Sequence, residues 1–193
     1  MIKIAHQINT LDKLDEVPNN FGIEIDIRSS DSGDLVLSHD PLRPGEDYLG
    51  LENLLEKYSN KFIVANIKES GIEKDVINEI IKTTKDFFLL DVELPFIFNN
   101  HRDFNKYLSV RYSEFESIET VRNLEGMAQW VWIDTFTKLP SLHKDLEQFK
   151  TCLVSPDRWG RSEDIISYKN FIEETNGKID AVMSELDNLT SWD

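Results

Sequence analysis

Runs of β-branched and aromatic residues recur along the chain, separated by stretches in which apolar residues return every three to four positions. The first pattern predicts strands over 2–6, 22–28, 62–68, 87–93, 108–113, 130–136, 151–156 and 179–184. The second predicts helices over 11–17, 51–59, 72–86, 104–108, 117–127, 141–149 and 163–176. The clearest is 72–86, where Ile72, Val76, Ile77, Ile80 and Ile81 form one apolar stripe among charged neighbours. Strands that alternate with helices imply a parallel sheet. The pattern therefore predicts an α/β protein, a compact (β/α)8 TIM barrel, with an open doubly wound sheet as the alternative. One hairpin interrupts the alternation. SSDSGD is a cluster of turn residues and LVLSHD resumes an extended pattern, so a short extra strand follows the second strand and sits above the barrel. No repeat or linker composition breaks the chain, and residues 1–193 read as a single barrel domain. The closing NLTSWD reads as a tail that packs through Trp192 or frays.

Composition narrows the partners. With 40% hydrophobic and 30% charged residues the chain is an ordinary globular sequence, and at 193 residues it is short for a barrel that typically needs about 250. A net charge of −15 argues against a nucleic-acid partner, because phosphate-backbone binding needs a basic footprint. The lone Cys152 excludes an intramolecular disulfide and reads as a buried structural thiol. MIKIAHQI has neither the long apolar segment nor the cleavage signal of a secretory peptide, and no apolar run approaches the roughly 20 residues of a membrane span. The expectation is a cytoplasmic protein without membrane insertion.

Residues two apart on a strand share a face, so Glu24, Asp26 and Arg28 point the same way. On an exposed strand they would be ordinary surface charge. At a barrel mouth, the two carboxylates can bind one hard divalent cation through oxygen. His6 ends the first strand and His39 closes the hairpin, both where a barrel places catalytic residues. Two histidines flanking a bound phosphate can act as general base and general acid. On the strand at 62–68, Asn66 offers an oxygen to a metal and Lys68 a cation to phosphate. Arg111 and Asp134 end the fifth and sixth strands, and each could join the site or form a structural ion pair. His101 and His143 read as surface residues, and Trp132 or Trp159 could edge a pocket.

In order and spacing these residues resemble the glycerophosphodiester phosphodiesterase family of the phospholipase-C-like superfamily. That family shows a strand ending in His-Arg-Gly, an Asn-Thr, a Glu-x-Asp-Val before a polar turn, an Asp-Gly and a His-Asp. The matching residues here are His6, Asn9-Thr10, Glu24-Ile25-Asp26-Ile27, Asp31 with Gly33, and His39-Asp40. The likeness is specific over 2–41 and weaker at VANIK (64–68), where the family has Glu-x-Lys. Lys68 matches the lysine, but Asn66 stands at the metal-binding glutamate, and Gln7-Ile8 replaces Arg-Gly, removing an arginine that would help hold phosphate.

The resemblance implies a phosphoric diester hydrolase using Mg²⁺ or Ca²⁺ on Glu24 and Asp26, with Asn66 as third ligand or with Asp91, Glu93 or Asp134 in its stead. Lys68, with Arg28 or Arg111, would neutralise phosphate, while His6 and His39 would move protons. The implied substrate is a small soluble diester of the glycerophosphodiester kind, since the acidic chain has no attraction for anionic membranes. Two other readings stand beside it. One is a degenerate homologue that binds a phosphorylated ligand or a partner without turnover, for which Asn66 and Gln7 speak. The other is a sugar-phosphate barrel enzyme that uses Lys68 as a desolvated amine.

Overall fold

The computed structural model describes residues 1–58 and 62–193. Its strands are β1 (Ile2–Ala5), β2 (Gly22–Ser29), β3 (Leu35–Leu37), β4 (Ile63–Ile67), β5 (Phe87–Leu90), β6 (Ser109–Tyr112), β7 (Trp130–Ile133), β8 (Lys150–Val154) and β9 (Ala181–Ser184). All but β3 run parallel, side by side in the order β5-β4-β2-β1-β9-β8-β7-β6. A parallel bridge between Leu89 and Leu108, with Ser109 Oγ donating to Leu89 O at 2.7 Å, joins the two outer strands and closes the ring. Closure excludes the doubly wound alternative and gives the (β/α)8 barrel. β3 pairs antiparallel with the end of β2, with Ile27 opposite Leu37, and forms the expected extra hairpin.

Alternation along each strand separates two apolar layers. Ile23, Ile25 and Ile27 of β2, with Ile63, Ala65 and Ile67 of β4, pack outward against the helices. Ile4, Val64, Phe88, Leu90, Trp130, Trp132, Cys152, Val154, Ala181 and Met183 fill the barrel interior. Gly22 opens β2 where a Cβ would lie 2.6 Å from the Phe62 carbonyl oxygen, a close approach that only glycine permits. Cys152 is among the interior residues. Burial, and then the charge of Glu24, push its thiol pKa well up, so it is the inert structural cysteine its sequence context suggested.

The helices are α1 (Leu11–Glu16), α2 (Leu51–Lys57), α3 (Glu73–Ile80), α4 (Leu94–Phe104), α5 (Ile118–Asn123) and α6 (Ile165–Glu174). The predicted helix at 51–59 ends at Ser59, which lies outside the described residues. α3 stops well short of residue 86, which leaves Ile81 exposed at 37% while Val76, Ile77 and Ile80 are fully buried. The stretch 141–149 forms only a 3-10 turn (Lys144–Gln148), and 104–108 likewise (Asn105–Tyr107). α4 was not legible at all. Asp91, at φ +60°, ends β5 where the hydrophobic run promised more strand, and α4 buries Ile97 while Leu94 and Phe98 stay exposed. Its core-facing stripe of Phe96, Ile97 and Phe104 is interrupted by Asn100 and His101 and masked in the sequence by the exposed Leu94 and Phe98.

The C-terminal segment is docked and does not fray. Leu186–Trp192 forms a 3-10 helix, and Trp192 is 4% exposed with its indole N–H donating to Ser155 Oγ at 3.0 Å. Trp192→Ala is expected to cost about 3–5 kcal/mol, the usual penalty for emptying a buried aromatic site. The check is the urea midpoint at unchanged m value, and a cost below about 1 kcal/mol would mean that the segment contributes little.

Candidate functional site

Following the interior-facing positions upward, several staves of the barrel change from apolar to polar or ionisable at their C-terminal ends. Ile4 is followed by His6, Val64 by Asn66 and Lys68, Trp132 by Asp134, and Met183 by Glu185, while Glu24 and Asp26 occupy the same face of β2. The register sets Asp26 level with Asn66, and Glu24 just above the last β1–β2 pair, Ala5 with Ile23. Since β4, β2, β1 and β9 are consecutive in the ring, their side chains meet. β6 and β7 lie on the other side of the mouth.

Glu24 and Asp26 are 2% and 1% exposed, a costly placement for two acids. Their oxygens are held by neutral donors. Glu24 Oε1 accepts from Asn66 Nδ2 at 3.0 Å and Oε2 from the Gln7 N–H at 2.8 Å. Gln7 sits at φ +55°, a conformation that L residues rarely adopt, and this turn aims its N–H at Glu24. Asn9 grips Asp26 twice, donating through Nδ2 to Oδ2 at 2.7 Å and accepting the Asp26 N–H at 2.9 Å. Burial first, and then the charge of Asp26, push the Glu24 carboxyl above the ordinary range, against the His6 charge and the bonds from Asn66 and Gln7.

Lys68 Nζ lies 3.0 Å from Asp26 Oδ1, a charge contact without the alignment of a hydrogen bond. His6 Nε2 lies 3.8 Å from Glu24 Oε2. His6, Glu24, Asp26, Asn66 and Lys68 are thus brought together as the sequence proposed. His39 stands farther out, 54% exposed in its side chain and bonded through Nδ1 to Asp40 Oδ1 at 2.9 Å. That bond holds the Asp40 carboxyl below its usual range. His39 lines a cleft of about 470 Å³ together with Gln7, Asn9, Lys13, Arg43 and Tyr48, so the cleft runs from the outer histidine to the residue beside His6.

The arginines are occupied. Arg28 donates to the carbonyls of Lys68 at 3.3 Å and His39 at 3.0 Å, tying the hairpin's end to the end of β4. Arg111 donates to Asp91 Oδ2 at 3.0 Å and Asp134 Oδ2 at 3.2 Å. Asp134 also accepts the indole N–H of Trp159 at 2.9 Å and the Thr135 N–H at 3.0 Å. No contact joins Arg111 or Asp134 to Glu24 or Asp26, and their geometry is that of a structural ion pair across the mouth from the cluster. Trp159 lies tilted against Phe136, half exposed, whereas Trp132 is buried in the barrel interior. His101 is bonded to the Phe98 carbonyl, and His143, half-buried, caps the 3-10 turn at 144.

Among the described residues, no group of three or more His, Cys, Asp or Glu side chains has metal-holding geometry. The cluster nonetheless fits a hard cation through a neutral third ligand. Asn66 Oδ1 is buried with no hydrogen-bond partner, and Asp26 Oδ1 has no aligned one. Two buried oxygens on neighbouring staves with unused lone pairs, next to Glu24, form an oxygen donor set of the kind Mg²⁺ and Ca²⁺ take. Sequence reasoning missed three residues that support the cluster: Glu185, Arg158 and Asp157. The signal for Glu185 was the alternation Ala181, Met183, Glu185; nothing local marked Asp157 or Arg158.

No protein-family model matches the chain, and no curated protein matches it by sequence. Solved structures do. A glycerophosphodiester phosphodiesterase from Thermotoga maritima superposes with a TM-score of 0.66 at 19% identity, covering 100% of this chain and 98% of that one. One from Agrobacterium tumefaciens gives 0.65 at 11% identity, covering 98% and 99%. One from Parabacteroides distasonis gives 0.66 at 14%, covering 99% and 95%. At these identities the likeness concerns the path of the chain, end to end. The protein has the barrel fold of the solved glycerophosphodiester phosphodiesterases.

Proposed function

We propose that this protein hydrolyses a small phosphodiester at the C-terminal mouth of its barrel, with His6 and His39 exchanging protons and Glu24, Asp26 and Asn66 holding Mg²⁺ or Ca²⁺. The observation that carries the reading is the pair of buried carboxylates beside His6 with an unpartnered Asn66 oxygen next to them. A structural ion pair has no use for that oxygen. The shared fold with phosphodiesterases supports the same conclusion.

Bound there, a divalent cation supplies charge neutralisation for a phosphoryl oxygen. Lys68 adds a second positive charge next to Asp26 and stabilises the charge that develops on phosphorus-bound oxygens. One histidine takes the proton of the attacking water or of a neighbouring substrate hydroxyl. The other delivers a proton to the departing alkoxide as the P–O bond breaks. Attack by water yields a phosphomonoester and an alcohol; attack by a neighbouring hydroxyl yields a cyclic phosphate first. Gln7, Lys13 and Tyr48 line the cleft that His39 shares and offer polar contacts to the alcohol portion.

Two specific replacements, Asn66 and Gln7, support a second reading in which a phosphorylated ligand is bound without turnover. The sugar-phosphate reading fares worse, because Lys68 is engaged by Asp26, whereas imine formation needs a free amine. The test is hydrolysis of an aryl phosphodiester and of glycerophosphodiesters with Mg²⁺, Ca²⁺ or chelator. Metal-dependent turnover is expected, together with a rise in thermal midpoint on adding the cation. Saturation at about 100 times Kd corresponds to about 2.7 kcal/mol, and Glu24→Gln should abolish the rise. No turnover of any diester with either cation would leave the binding reading standing.

A further inference from the structure

Glu185, one residue beyond β9, has its carboxylate Oε1 3.4 Å from Nδ1 of His6, on the side of the ring away from Glu24. The same carboxylate forms an ion pair with Arg158. Its main chain is fixed as well. The Glu185 N–H donates to Asp157 Oδ2 at 3.0 Å, and this one oxygen also accepts Ser184 Oγ at 2.8 Å and Asn188 Nδ2 at 3.1 Å. The Ser184 carbonyl in turn accepts the His6 N–H at 3.0 Å. Two consecutive residues of one turn, Asp157 and Arg158, therefore hold Glu185 by backbone and by side chain, while β9 holds His6 in register with it. An exposed ion pair would need none of this anchorage. The contact with His6 outweighs burial and, with the charges of His6 and Arg158, holds the Glu185 carboxyl down to about 2.

We infer that Glu185 is a positioning residue for His6: it takes the Nδ1–H and turns Nε2 toward the Glu24–Asp26 pair and the reacting phosphate. The hydrogen bond made by one imidazole nitrogen decides which nitrogen is left for chemistry, as the carboxylate of a catalytic triad does for its histidine. A contact of this length is loose, and catalytic hydrogen bonds commonly tighten when substrate arrives. What the oriented His6 then does rests on the phosphodiesterase reading; its orientation does not.

The test pairs kinetics with the His6 tautomer, read from ¹⁵N-labelled histidine with His6→Gln to assign the signals. In the neutral ring the parent is expected to carry its proton on Nδ1, and Glu185→Leu to shift it toward Nε2. On an aryl diester, Glu185→Leu should lower kcat by about 10- to 100-fold, the range for losing a carboxylate that orients a histidine, with KM changed by less than about threefold. Glu185→Gln, almost the same size, should fold even where the leucine variant does not, and should recover part of kcat because its amide oxygen still accepts from Nδ1–H. Identical tautomers in parent and Glu185→Leu, or kcat within about twofold of the parent, would overturn the inference. A parent that turns over no diester would sink the phosphodiesterase reading, while the tautomer comparison would still judge Glu185.

Discussion

His6→Ala and His39→Ala are each expected to lower kcat on a glycerophosphodiester by about 10²- to 10⁴-fold, the usual contribution of a positioned acid or base. Only one of the two losses should shrink when the leaving group becomes a nitrophenolate. An alkoxide is too basic to depart unprotonated, so the general acid is indispensable for a diester of two alkyl alcohols. A nitrophenolate departs readily by itself, and the acid's contribution falls toward nothing. The base faces the same attacking hydroxyl in both substrates, so its loss stays constant. The comparison therefore identifies which histidine is which, His6 being half-buried between Glu24 and Glu185 and His39 more exposed beside Asp40. Equal losses on both substrates for both variants would sink the division of labour. Undiminished turnover in either variant would remove that histidine from the mechanism.

Asp26→Asn should produce a large change in stability. Asp26 is 1% exposed and its partner Lys68 has 17% of its side chain exposed, so the pair is largely desolvated. Removing one member of a buried pair typically costs about 3–5 kcal/mol, because the other charge is left without compensation. For a chain of this size each kcal/mol shifts the thermal midpoint by about 2–4 °C, so a fall of roughly 6–20 °C is expected. The Asn9 bonds to Asp26 are a lesser part of the loss, since an asparagine side chain can still accept one of them. Adding Lys68→Met to Asp26→Asn should restore part of the midpoint, because the stranded ammonium is then gone. If the double variant is as unstable as the sum of the two single ones, Asp26 and Lys68 do not act as a coupled pair.

The fold was legible where a single physical rule operates over a whole segment. β2 and β4 are buried on both faces over most of their length and carry the β-branched residues Ile23, Ile25, Ile27, Ile63, Val64 and Ile67, so their runs stand out from any surrounding helix. The extra strand β3 was legible because Ser29–Asp34 can do little but turn. α4 was not, because its buried stripe of Phe96, Ile97 and Phe104 is interrupted by Asn100 and His101 and masked by the exposed Leu94 and Phe98, and the preceding strand is ended by the backbone of Asp91, whose left-handed φ no composition announces.

For the site, the sequence alone determined the members whose spacing is local: Glu24 and Asp26 two apart on one strand, Asn66 and Lys68 two apart on another, and a histidine at each of two element ends. Period-two alternation is a property of the extended backbone, and it holds before any partner is known. Which staves adjoin is set by closure of the ring, with β9 beside β1 through pairing of residues more than 170 positions apart. That pairing placed Glu185 against His6, just as β6–β7 pairing set Arg111 beside Asp134 and β2–β4 pairing set Asn66 beside the two acids. Non-local contact between ionisable groups depends on register across the barrel, and register is a tertiary quantity.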